Sequence, residues 1–214
     1  ALSYGERTIE VAKKANNHHA TATAYINTGI INAMQGKMPE ARDSFTNAMA
    51  LSEEHNLDST LSASLISLGI LSTMTEAFEE AKKLFSRAMT VLKREGNLSN
   101  VAACALSLGD THLALEEYDD AFRQYHHGMK TAGAIGVASI VLNGMISIAH
   151  SIFKQEQSEK YTWAVQLLHM ANLHPLTDYD NRHKVDSFFD TYKETLQNAD
   201  VSIDIPPSID IYPD

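Results

Sequence analysis

Residues 41–48 read ARDSFTNA, residues 81–88 read AKKLFSRA and residues 121–128 read AFRQYHHG. Three columns repeat in register at a spacing of 40: Ala41, Ala81, Ala121; Phe45, Phe85, Tyr125; and Ala48, Ala88, Gly128. Ahead of each alanine, at a constant offset, stands a glycine: Gly29, Gly69 and Gly109. A fixed period of this length marks an array of stacked supersecondary units, each unable to bury its apolar face alone. The alanine, the aromatic and the small residue follow at helical spacing and share one face. A glycine facing them lets the partner helix approach closely, and the aromatic is expected to fill the space between one repeat and the next.

The register extends in both directions. Ala1 lies forty residues before Ala41, so the chain is expected to open on the second helix of a half repeat, residues 1–15. Ala149 lies forty residues after Gly109, but the next alanine column arrives late, at Ala164, followed by Leu168 and Ala171. The delay reads as a longer loop over residues 154–158. The spacing divides the chain into repeats at 16–56, 57–96, 97–134 and 135–173, a terminal helix at 177–198 capped by Thr177 or Asp178, and an extended tail at 199–214. Gly36, Gly96 and Gly133 mark helix ends, and Pro39 stands where a first helical turn accepts proline. The expected architecture is all-α: one domain over residues 1–198, a right-handed α-solenoid of helical hairpins with a period of about 40. The tail carries Ser-Ile-Asp-Ile twice around Pro206-Pro207, is expected to be extended, and is expected to pack on the solenoid or on a neighbouring copy.

Composition narrows the function. With 214 residues, 44% hydrophobic and 21% charged, 10 glycines and 5 prolines, the chain is globular, not disordered or collagenous. A net charge of −10 argues against nucleic acid as a partner. The one cysteine, Cys104, excludes an intrachain disulfide and any CxxC motif. The stretch Thr131 to Phe153 is apolar but interrupted by Gly133, Gly136, Asn143 and Gly144, and reads as two helices, not a membrane span. The opening residues show no signal peptide, and the expected location is cytoplasmic. The motifs GxxxxGK[ST], GxGxxG and HExxH are missing, so no cofactor, no metal site and no catalytic residue is expected, and the reading is of a protein that is not an enzyme. Adjacent histidines, His18-His19 and His126-His127, point about 100° apart on a helix and chelate poorly. The acidic residues Glu76, Glu79, Glu80, Glu116, Glu117, Asp119 and Asp120 read as helix-start charge.

The columns resemble those of the tetratricopeptide repeat, with Gly29, Ala41, Phe45 and Ala48 and their counterparts matching the family's packing positions. The resemblance implies a protein-interaction module whose first helices line a concave groove. The family positions that line it fall on Ile26, Ile30 and Met34, and on Ile66, Ile70 and Met74. Where the family's chaperone-tail clamp carries Lys and Asn, both repeats here carry isoleucine, so that ligand is argued against. The third and fourth repeats contribute Leu106, Asp110 and His150 to the candidate groove, which is expected to be apolar at one end and polar at the other. Asp110 and His150 hold equivalent positions forty residues apart, with two readings: the side chains meet on the inner face, which would favour protonated histidine, or each is solvated separately. The long period, together with the run Ala164 to Pro175 and the helix after it, resembles the C-terminal sensor arrays of bacterial LuxR-type regulators and related signal-transduction ATPases. That implies the sensor or scaffold part of a larger signalling or transcription-regulatory protein. The expected partner is a protein or peptide, such as an amphipathic helix, the chain's own tail or another copy. For the isoleucine and methionine stripe itself the competing reading is burial, the long helices packing these residues against each other or under an upstream repeat; for the function the alternatives are a self-association scaffold, a small-ligand sensor and a helical-repeat enzyme domain. Neither nucleic acid nor membrane is an expected partner.

Overall fold

A computed structural model describes residues 4–201, and the expected docking of the tail falls largely outside them. Ten α-helices follow one another, with no strand among the described residues: α1 (Tyr4–Lys14), α2 (His18–Met34), α3 (Met38–Glu54), α4 (Asp58–Met74), α5 (Phe78–Glu95), α6 (Leu98–Ala114), α7 (Tyr118–Ala134), α8 (Ala138–Lys154), α9 (Tyr161–Leu173) and α10 (Tyr179–Asn198). The chain is an all-α helical repeat solenoid.

The turns carry a shorter period than the side-chain columns. Left-handed residues stand at Asn16, Gly36, Asn56, Glu76, Gly96, Glu116, Gly136 and Glu156, every twenty residues. Each closes a helix with a backbone bond back across the last turn, such as Leu57 N–H to Ser52 O at 2.8 Å and Val137 N–H to Ala132 O at 2.9 Å. The forty-residue repeat is therefore two helices of matched length joined by matched turns. Pro39 sits in the first turn of α3, and Asp178 caps α10 by accepting from the Asn181 N–H at 2.8 Å. Gly133 is not a stop: α7 runs past it to Ala134, and the left-handed residue is Gly136, one half-period after Glu116.

The glycine column receives the aromatic of its own hairpin. A Cβ built on Gly29, Gly69 or Gly109 would lie 2.5, 2.7 and 2.4 Å from the ring of Phe45, Phe85 and Tyr125 respectively. Each ring lies edge-on against bare backbone, and Phe45 also joins Leu68 and Leu71 of the following repeat in one core cluster. In the fourth repeat the columns hold Ala149 and Val165, both buried in one cluster. There the first helix gains a methyl and the second loses a ring.

The late alanine at 164 comes not from a longer loop but from a change of helix type. The left-handed residue after α8 is Glu156, in register, and residues Ser158–Lys160 form a 3-10 turn before α9. The alanine column at 161 is filled by Tyr161, which is buried and stacks on Phe153 at 4.0 Å. A tyrosine cannot take an alanine's place against a neighbouring helix without displacing the first turn.

Successive first helices touch, α2 on α4, α4 on α6 and α6 on α8, with α10 continuing the row on α8. This row forms the inner wall. The second helices α3, α5 and α7 pack behind it, each between two first helices. Ion pairs tie the outer layer across repeats: Arg42 to Glu80 at 2.8 Å, Lys82 to Glu117 at 2.9 Å, and Arg87 to Glu53.

Candidate functional site

The inner wall is a grid of repeat-equivalent positions, and the turn geometry sets which of them face out. The column Ile26, Ile66, Leu106, Ile146 points back into the stack. Ile26 is 9% exposed and Leu106 is 3%, so both belong to the core, and Ile66 is half-buried against the second cluster. These three expected groove residues are packing residues. One turn on, Ile30 is 44% exposed and Ile70 is 47%. A further turn on, Met34 is 84% exposed and Met74 is 57%. Ile30, Ala33, Met34, Ser67, Ile70, Leu71 and Met74 line a cleft of about 300 Å³ between α2 and α4, with an edge of Phe45 at its floor. No charged residue lines it.

The same columns become polar in the second half. Asp110, Leu113, Asn143, Ile146, Ser147, His150 and Lys154 line a second cleft of about 350 Å³ between α6 and α8, which Lys184 and Tyr192 of α10 close on its far side. Asp110 accepts hydrogen bonds from the Tyr125 hydroxyl at 2.9 Å and the Ser147 hydroxyl at 3.2 Å. It is crowded by the wall yet open to water through the mouth of the cleft. Burial pushes its pKa up, opposed by the hydrogen bonds from Tyr125 and Ser147 and by the charge of Lys184. Lys184 donates to the Asn143 side chain at 2.8 Å.

Asp110 and His150 share this cleft but do not pair. The His150 ring lies edge-on to Phe188 at 4.7 Å and to Tyr192 at 5.9 Å, both on α10. Burial and the charge of Lys184 push the His150 pKa down, the reverse of the expected stabilised imidazolium. The partner that decides its protonation is the terminal helix, a long-range contact that no repeat spacing encodes.

Three further features lie outside the two clefts. His18 stacks on His55 at 3.6 Å, joining the start of α2 to the end of α3. His112, Glu117 and Asp120 bring donor atoms within 4.8 Å of one another, a grouping the sequence did not suggest. Glu117 already binds Lys82 and His112, and Asp120 already binds Arg123, so these carboxylates serve as ion-pair partners. Cys104 is buried, and burial pushes its thiol up to about 12, which makes it inert.

Comparisons with known proteins agree with this architecture. Residues 1–54, spanning α1 to α3, match the tetratricopeptide repeat family. Among solved structures the chain is similar to BtubC (BKLC) from P. vanneervenii, with a TM-score of 0.68 over 98% of this chain and 95% of that one. The two are 13% identical, so the likeness is one of fold. No curated protein matches the chain.

Proposed function

We propose that the chain is a non-catalytic protein-interaction module and that the apolar cleft between α2 and α4 is where a peptide or helix of its partner docks. Tetratricopeptide repeats are protein-binding modules, and residues 1–54 match that family. The observation that carries the site is the exposure of Ile30, Met34, Ile70 and Met74, side by side on an inner wall whose packing columns lie elsewhere. Exposed methionines suit a surface that must adapt to its ligand. The ligand segment presents apolar side chains at helical or extended spacing to this cleft. The polar cleft further along the wall, between α6 and α8 and with Lys154 and Lys184, orients the segment through its charges. The resemblance of residues 164–196 to bacterial regulator arrays supports a role as the sensor or scaffold part of a larger cytoplasmic signalling or transcription-regulatory protein. No helix among the described residues is long and apolar enough to cross a membrane.

Peptides selected from a random display library against residues 1–214 test the reading, with spectra of chains carrying ¹³C-methyl methionine. Selected binders should shift the Met34 and Met74 methyl signals and leave Met170, on α9, in place. Binders that consistently shift signals other than those two would place the site elsewhere.

A further inference from the structure

We propose that the outer groove between α7 and α9 is a second docking site, which takes an arginine side chain from a basic segment of a partner protein. The groove lies behind the inner wall, apart from both clefts described above, and the proposal stands independently of the apolar cleft.

The forty-residue register isolates the site. From α3 to α5, Arg42 donates to Glu80 at 2.8 Å and to Ser72 at 3.4 Å. One repeat on, Lys82 holds the same column and donates to Glu117 at 2.9 Å and to Glu79 at 3.4 Å. In both places the chain supplies its own cation to the joint between repeats. In the third joint the column holds Phe122, and the positions of Ser72 and Glu80 hold Ile152 and Lys160. The tie is lost, and a cleft of about 480 Å³ stands open between α7, the end of α8 and α9.

Aromatic rings and unpaired acids line this cleft. Phe122 and Trp163 are both exposed there, with Tyr118 in the same lining. Asp119 holds the column of Glu79, but Phe122 has replaced its cation. Neither Asp119 nor Glu159 has an ion-pair partner among the described residues, and both line the cleft. The nearby cations are committed, Arg123 to Asp120 and Lys160 to the Gln157 side chain at 2.7 Å. Among the described residues no cation of the chain stands over Phe122 or Trp163. The amides in the lining are fixed in advance, Gln157 donating to Gln155 at 2.6 Å and Gln155 to the Ser151 hydroxyl at 3.0 Å.

The field at this end of α9 is negative. Burial pushes the pKa of buried Tyr161 up, and the charges of Glu156 and Glu159 push it further. A guanidinium suits such a setting. Its flat face stacks on aromatic rings, its edge donates to carboxylates, and it is only weakly hydrated. The net charge of −10 draws a basic segment toward the chain, and the rings select where its arginine rests.

The probe is a capped Gly-Arg-Gly-Arg-Gly peptide titrated into the full chain. Calorimetry gives the affinity, and the emission of Trp163, the one tryptophan, gives the location. The emission should change saturably, with the same midpoint as the heat. Phe122→Lys, which restores the cation of the column, should weaken binding about tenfold, and Asp119→Asn with Glu159→Gln should do likewise. All three positions are exposed, so both variants should stay folded by circular dichroism. Removing acids elsewhere, with Asp43→Asn and Glu76→Gln, should leave the affinity within about twofold, as should Ile30→Glu with Ile70→Glu. The lysine version of the peptide should bind more weakly than the arginine one. Absence of binding, binding with Trp163 silent, or full affinity in Phe122→Lys would overturn the proposal. So would equal affinity for the lysine peptide, or a loss as large from the distant acids, since either reduces the contact to charge alone.

Discussion

The two halves of the inner wall share a backbone and differ in chemistry. In the first, Ile30 and Met34 face Ile70 and Met74, and the cleft is open. In the second, the same positions hold Asp110, His150 and Lys154, and α10 closes the side with Lys184 and Tyr192. Behind both, the frame is constant: a ring on bare backbone at Gly29–Phe45, Gly69–Phe85 and Gly109–Tyr125. Packing residues and exposed apolar residues thus occupy different columns of the same helices. The surface columns vary without touching the frame.

The frame predicts equal damage in both halves. Phe85→Ala and Tyr125→Ala remove fully buried rings and should each cost about 3–5 kcal/mol, read by urea unfolding. A cost in only one half would mean that the halves do not share a frame. Gly69→Ala and Gly109→Ala force a methyl onto those rings, at about 1–3 kcal/mol each. The cost should shrink when the ring is also reduced to valine, the combination found at Ala149 and Val165.

Acid should separate the halves. His150 has its pKa pushed down in the fold by burial and Lys184. The unfolded chain therefore binds this proton more readily. The stabilisation from neutral His150 is complete above the unfolded pKa and is lost as pH falls from there through the lower folded pKa. His127 is shifted in the same direction by burial and neighbouring cations. His150→Gln should flatten part of the fall in Tm between neutral pH and about pH 5, across the ordinary histidine range. An unchanged pH profile would detach His150 from the closing of the polar cleft. The smallest effect is expected at the turns. Glu76 and Glu116 hold left-handed backbone, and replacing either with glycine should raise stability by roughly 0.5–1 kcal/mol. The gain should be alike in both halves.

Much of the frame was legible in the residues because its contacts are repeated: a glycine and an aromatic at a constant offset state the packing three times. The twenty-residue turn period was hidden. Its left-handed positions are filled by Asn, Gly or Glu; glycine and asparagine favour such backbone and glutamate does not, and Gly133, three residues ahead of Gly136, offers a competing stop signal. The exposure of the stripe was half legible. A stripe at i, i+4 and i+8 drifts by about 40° per step around a helix, so Ile26 turns into the core while Met34 turns to water. Leu106 follows Ile26 for the same reason. Lys184 and Tyr192 could not be read into the site, because they arrive on α10, outside the repeat columns.

The central claim is that Ile30 and Ile70 belong to a binding surface and not to the core. The double variant Ile30→Glu/Ile70→Glu tests it in one preparation, by urea unfolding and by titration with a peptide selected on the wild-type chain. The account predicts unfolding within about 1 kcal/mol of wild type, as for exposed positions, and at least a tenfold weaker peptide affinity. Loss of the folded state, or full affinity in a folded double variant, would contradict it.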